Sequence, residues 1–351
     1  MKKFVALLLS VLMILSLTSC GGKDTGNNSD DENVLVVSTW GLGEDDLMND
    51  VFKPFEEKYN CKVVVEMATT TERYNKLKEN PDGGVDVIEL SQAIATDAQN
   101  QGFLDKINKS DVPNIEKLIE PAKEVADKGY GIPYVVNSIG IIYNAEGVKG
   151  EIKEWSDLWD PSLENKVAVP EITSTFGPAM VAVAGDVAGT SVDDDMGEAA
   201  FKKLEELKPN IVKAYSKSSD LAAMFASGEI DAAVIGDFGV DMVKKALPEA
   251  EYIVPESGTY VNFNTVEINK NSKNKELALK YVDYRLSEEV QLRVAKSLNE
   301  GPTNSDVKLD DELAQNKTYG EVLNRTKVLD YNMINENLDS WIEQYNRIMS
   351  N

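Results

Sequence analysis

The sequence predicts an α/β protein of two lobes, each a mostly parallel sheet flanked by helices. Three observations carry that expectation. At 351 residues the chain is longer than one hydrophobic core usually serves. Its composition, 42% hydrophobic and 27% charged, is that of an ordinary folded chain. From residue 34 onward, short β-branched runs alternate with helical periodicity at the spacing of strand–helix–strand units. That order places parallel strands beneath helices on both faces.

VLVVST (34–39) is an apolar strand, and WGLG turns it into a helix over 44–59. Met48, Val51, Phe52, Phe55 and Tyr59 recur there at helical spacing, with acidic residues in the first turn. Pro54 is expected to kink or restart that helix. KVVVEM is the next strand, a helix over 72–80 stops at PDGG, and VDVIEL (85–90) is again a strand. Ser91 is placed to cap a helix over 92–101. In the second half KVAVP (166–170) is a strand, and TSTFGPAMVAVAGDVAG opens a helix that is apolar all round and therefore buried. A helix over 197–207, strand IVKAY and a helix over 220–227 capped by Ser218 or Ser219 follow. GEIDAAVIGD carries a strand into a turn, and TYVNFNTVEI (259–268) is strand-like. Helices over 275–286 and 288–298 are divided by Ser287, EGPTN turns, and an amphipathic helix over 332–349 closes the chain.

Ahead of these elements, Lys2 and Lys3 precede an apolar run from Phe4 to Leu17 and then LTSC, the pattern of an export signal. The run is too short for a spanning helix of ~20 residues. LTSC also resembles the bacterial lipobox. Residues 1–19 therefore read as a lipoprotein signal peptide and Cys20 as the lipidated anchor, with 20–33 a flexible tether rich in Gly, Asn, Ser and Asp. The expected location is a cell membrane, lipid-anchored and facing the extracellular space or periplasm. Cys61 is then left alone, without a disulfide partner, and reads as a small hydrophobe at a strand start.

The formal charge of −24, from 60 acidic and 36 basic residues, argues against nucleic acid as a partner. There is no histidine, which removes Ser–His–Asp and Cys–His nucleophiles, His metal ligands and the usual neutral-pH base. Carboxylate-only hydrolysis stays open, but so many acids single out no pair. DDDMGE (193–198) lacks the alternating ligands and closing Glu of a calcium loop and reads as helix-capping charge. GLGEDD puts Asp46 where the third glycine of a dinucleotide fingerprint would stand, and an acid there repels a pyrophosphate. No metal, cofactor or catalytic residue is expected.

What remains are polar residues at strand ends, where open α/β sheets bind ligands. Thr39 and Trp40 follow the first strand, Ser91 and Gln92 follow VIEL, Thr173, Ser174 and Thr175 begin the buried helix, and Asp237 and Phe238 follow AAVIG. Any one of these ends is a cap or turn; four of them point towards a cleft. Asn137 and Ser138 also interrupt the apolar run GIPYVVNSIGIIYN.

The stretches STWG, DVIELSQA, YGIPYVVNSIGIIYN, EWSDLWDPSLENKVAV, MFASGEIDAAVIGD and EGPTN occur in that order over residues 34 to 345. Together they resemble the extracellular solute-binding receptors of ABC importers, in particular the spermidine/putrescine-binding group. The resemblance implies a two-lobed periplasmic-binding-protein-like fold of type II with a ligand cleft between the lobes. One lobe would hold 34–134 plus 265–300, the other 135–264 plus 301–351. Val135 to Ser138 would form a hinge with Asn137 and Ser138 facing the cleft; the alternative is that Asn137 satisfies backbone at a bend. TYVNFNT would return the chain, with Tyr260, Asn262 and Asn264 on one face. Polyamine receptors surround their ligand with aromatics and acids, and Trp40 and Glu171 stand at or near two such positions. Val261 and Phe263 stand where those receptors carry Trp and Asp, so the site looks repurposed.

The expected ligand is a small amine-bearing solute, with Trp40, Tyr134, Glu171, Asp237 and Tyr260 as its aromatic and acidic partners. It is either a polyamine-like cation or a zwitterion whose carboxylate meets the helix start at Thr173 to Thr175; simple anions come third. The protein is expected to act as a monomer that delivers its solute to an ABC permease and not as an enzyme. The alternatives are a solute-sensing partner of a membrane signalling protein and, less favoured, a secreted carboxylate-dependent hydrolase.

Overall fold

The computed structural model describes residues 33–41, 43–127 and 131–350. The export signal, Cys20 and all of the tether but Asn33 lie outside the described residues. Among the described residues ten strands are formed: Val34–Thr39 (β1), Lys62–Met67 (β2), Val87–Ser91 (β3), Ile132–Asn144 (β4), Val167–Pro170 (β5), Ile211–Tyr215 (β6), Ala232–Gly236 (β7), Ala250–Ile253 (β8), Thr259–Ile268 (β9) and Thr326–Val328 (β10). Their order is β2-β1-β3-β9-β4-β7-β5-β6, with β10 beside β9 and β8 beside β4. Pairing is parallel among β2, β1 and β3 at one end and among β6, β5 and β7 at the other. The middle of the sheet, β3–β9–β4–β7, is antiparallel.

β4 serves both ends of this mixed sheet. Ile132 to Ser138 pair with β9, whereas Ile139 to Tyr143 pair with β7 and run beside β8. The change of partner falls between Ser138 and Ile139, where the sequence breaks its apolar run. Two sets of cores follow from that switch. One collects Leu35, Phe52, Phe55, Val136, Phe263 and Tyr281, with Tyr74, Leu77, Ile88 and Leu90 on the opposite face of the same strands. The other collects Ile139, Ile141, Met180, Leu204 and Trp341, with Ile142, Leu221, Phe225 and Ile235 opposite. Each half of the sheet is thus covered on both faces, which is what buries runs such as AAVIG without polar alternation. Residues 301–306 are bonded to the first half: the Thr303 hydroxyl donates to the Pro133 carbonyl at 3.0 Å and Asn304 Nδ2 to the Leu286 carbonyl at 2.8 Å.

The helices follow the expected periodicity, with informative differences at their ends. The 44–59 helix is broken into Glu44–Leu47, a π segment Met48–Phe52, and Lys53–Tyr59. Pro54 has no N–H for the Asp50 carbonyl, and Arg293 Nη1 donates to that carbonyl instead, at 2.9 Å. The acidic run DDDMGE acts as helix-capping charge: Asp195 accepts from Gly197 N at 2.9 Å and Ala199 N at 2.8 Å, at the start of helix Glu198–Leu207. Ser218 and Ser219 do not cap; they lie inside helix Ser218–Ser227, whose cap position is Lys217. Ser91 occupies its cap position without a side-chain capping bond. The buried helix starts later than expected, at Gly177. Cys61 is half-buried beside the first core, its thiol pushed up by burial and by Glu56.

Candidate functional site

The carboxyl ends of β1 and β3 and the polar middle of β4 and β9 converge on a cavity of about 550 Å³. Strand alternation sets its floor. Asn262 and Asn264 face it, while Val261 and Phe263, one residue out of phase, are buried in the first core. Asn137, directly opposite Asn262 on β4, completes a row of three amides.

One wall carries charge. Glu89, inside the apolar strand β3, is 1% exposed and lines the cavity. Its Oε2 accepts from the Thr39 hydroxyl at 2.5 Å and the Tyr134 hydroxyl at 3.0 Å. Its Oε1 accepts from the Tyr281 hydroxyl at 3.1 Å and Arg285 Nε at 3.4 Å. Arg285 is wholly buried, and its Nη2 donates to both oxygens of Glu300 at 3.0 Å. Burial opposes the guanidinium charge, but Glu300 and Glu89 outweigh it and hold Arg285 well above its ordinary range. Burial also raises the Glu300 carboxyl, against the pull of Arg285. Glu300 stays partly open, with 18% of its side chain exposed, and Asp46 stands free at the rim of the same wall. Trp40 lines the same cavity, its Nε1 donating to the Tyr134 hydroxyl at 3.1 Å and its ring 4.4 Å from the Arg73 guanidinium.

The opposite wall is uncharged. Thr175 and Phe238 contribute to it; Phe238 is half-exposed and stacked on Phe176 with ring centres 5.9 Å apart. No Lys or Arg lines the cavity among the described residues.

Of the residues singled out in the sequence, Thr39, Trp40, Asn137, Thr175, Phe238, Asn262 and Asn264 line this space. Tyr134 sits behind them, buried between Trp40 and Glu89. Asn137 lines the cavity and also donates to the Asp237 side chain at 2.9 Å. Other expected residues lie elsewhere. Asp237 is 3% exposed and accepts from Asn137 Nδ2, Phe238 N, Ser138 N and both donors of Thr318, so it holds the β4–β7 junction together and is absent from the wall. Burial pushes its carboxyl up to about 6, against the pull of those donors. Ser138 is fully buried, its hydroxyl 2.7 Å from that of Thr318.

Glu171 and Thr173 line a different depression with Val212, Lys213 and Asn346, and the Ser174 hydroxyl donates to the Glu171 carbonyl at 2.7 Å. The Glu171–Phe176 turn folds back so tightly that a Cβ at Gly177 would meet the Glu171 and Ile172 carbonyls, and the cap position falls on Phe176, which has no hydroxyl to offer. Tyr260 is buried in the second core, because its face of β9 is covered there by helix Gly177–Ala188. Ser91 and Gln92 lie next to the floor and off the wall; Gln92 is 1% exposed with its Oε1 unpaired. Missed were Asp46 and the pair Glu89 and Glu300. The signals were an acid within the apolar run VIEL and an acid leading EGPTN.

A cavity lined from both halves of an α/β sheet, with aromatic and acidic side chains around it, defines a two-lobed solute-binding protein. A profile of bacterial extracellular solute-binding proteins matches residues 50–321. A spermidine/putrescine-binding periplasmic protein of Haemophilus influenzae is 26% identical over 321 residues, covering 88% of this chain and 87% of that one. The crystal structure of an ABC transporter protein from Clostridium perfringens is 50% identical with a TM-score of 0.86, covering 90% of this chain and 99% of that one. A spermidine/putrescine substrate-binding protein from Streptococcus pneumoniae shares the fold, with a TM-score of 0.74 at 19% identity over 90% of this chain and 99% of that one. The chain belongs to the bacterial extracellular solute-binding protein family. It is a small-solute-binding protein that acts outside the cytosol, as the sequence resemblance implied.

Proposed function

We propose that the protein captures an amine-bearing solute in this cleft and delivers it to the permease of an ABC importer, acting by binding alone and as a monomer. The carrying observation is the charge of the wall: Asp46, Glu89 and Glu300 line the cavity, Arg285 lies behind Glu89 and Glu300, and no Lys or Arg lines the space among the described residues. Trp40 and Phe238 add aromatic surface for an ammonium group. The names of the relatives, which bind spermidine and putrescine, support the same class of ligand. Ligand contacts from both halves of the sheet would favour a closed arrangement, with motion centred on the Ser138–Ile139 switch. The moving bodies would be 34–134 plus 265–300 and 135–264 plus 301–351, with 301–306 bonded to the first.

A melting assay tests the ligand class. A ligand at ~100 times its dissociation constant stabilises by about 2.7 kcal/mol, enough to raise the melting temperature visibly. Polyamines, amino acids and choline-like amines should include a hit. A shift with sulfate, phosphate or a sugar, and none with amines, would overturn the reading. Cys20 is proposed as the lipid anchor, since each buried CH₂ contributes about 0.8 kcal/mol. Cys20→Ser with a processed N-terminus should leave the membrane fraction on a salt wash; its retention there contradicts the anchor.

A further inference from the structure

Resting on the amine reading of the cleft, the geometry points to a ligand with one ammonium group, seated on Glu300, and a non-cationic hydrogen-bonding group at its other end. The inference comes from asking which acceptors are still free. A carboxylate offers about four acceptor positions. Glu89 has four donors on it, from Thr39, Tyr134, Tyr281 and Arg285, and is satisfied without a ligand. Asp237, the nearest acid behind the opposite wall, has five. Glu300 receives only the two contacts from Arg285 Nη2 and keeps acceptor capacity towards the cavity. Asp46, exposed at the rim, is the other free acid lining it. Both belong to the wall that carries Trp40, so the positions able to neutralise an ammonium group lie on one side.

The rest of the cavity offers a different chemistry. The Asn262 and Asn264 amides make no side-chain hydrogen bond among the described residues, and Asn137 keeps its carbonyl and one N–H. Amides supply donors as well as acceptors, which suits a hydroxyl, carbonyl or carboxylate; Thr175 adds a hydroxyl. A second ammonium group placed there would surrender its hydration without meeting a free carboxylate, which is costly. Free acids at both ends of the cavity would favour a diamine; free acids confined to one wall, with an amide row along the floor, favour a single cation with a polar tail.

Calorimetric titration of the mature protein with chains of equal length separates the cases: 4-aminobutan-1-ol, 4-aminobutanoate and 1,4-diaminobutane, with spermidine as a longer polycation. The alcohol or the amino acid is expected to bind at least about tenfold tighter than either polycation. Glu300→Gln should weaken that binding by about tenfold or more, with Glu171→Gln leaving it unchanged. If Glu300→Gln unfolds because Arg285 loses its partner, Asp46→Asn at the exposed rim carries the test and should weaken the same ligand by about threefold. Tighter binding of 1,4-diaminobutane or spermidine, or indifference to the acid substitutions, overturns this inference and leaves the amine reading standing. Binding of a sugar or simple anion and of no amine overturns the amine reading itself.

Discussion

Asp237 and Glu300 show why the role of an acid depends on what surrounds it. Asp237 follows strand β7 and Glu300 follows the helix Glu288–Ser297, yet Asp237 is saturated by Asn137, Ser138, Phe238 and Thr318, while Glu300 is fixed from one side by Arg285. The Asp237 carboxyl, at about 6 in the folded protein, lies above the ~3.9 of an unfolded aspartate. The folded state therefore holds the proton more tightly, and the contribution to stability is fully present below about pH 4 and lost as pH rises through about 6. Acidification from about pH 7 to about pH 4 should stabilise the wild type relative to Asp237→Asn by about 2 kcal/mol. Paired melting curves at several pH values check this, and a difference that does not vary with pH contradicts it. The site was legible in sequence where a residue ends a strand, as for Thr39 and Trp40, or breaks an apolar run, as for Asn137. It was not legible where the environment comes from afar: Arg285 reaches Glu89 across 196 positions, and only the fold reveals that Glu89 is held and Asp237 consumed.

At the scale of elements, periodicity placed the long strands and helices well, and β9 covers the residues expected of it. β8 and β10, four and three residues long, escaped because so short a run carries no period. Helix starts were the weaker part of the reading, since a serine near a start is a candidate cap only until the preceding turn is known. Ser218 and Ser219 fell inside their helix, and Thr173, Ser174 and Thr175 fell in a tight turn ahead of theirs, where the Ser174 hydroxyl bonds the Glu171 carbonyl. The acidic run before Glu198 was read correctly because its charge needed no distant partner. Asp195→Ala should cost about 1 kcal/mol by exposing the N–H groups of Gly197 and Ala199. Urea unfolding measures it; an unchanged midpoint would mean that the Glu198–Leu207 helix does not depend on that cap.

The whole molecule is organised by the partner switch in β4, which joins two separately packed halves through a pair of strands and leaves the cleft where those strands turn polar. The apolar residues of that pair belong to the cores, and its asparagines belong to the cavity. Family membership was visible from ordered motifs, whereas the ligand was not, because the acids that differ from the polyamine pattern lie in stretches matched for other reasons. The most direct measurement is a crystal structure with the tightest-binding amine of the panel. Its nitrogen is expected within hydrogen-bonding distance of the Glu300 carboxylate, beneath Trp40, with Phe238 touching the same molecule from the opposite wall. A ligand bound outside this cavity, or one presenting an acidic group to Glu300, would contradict the account.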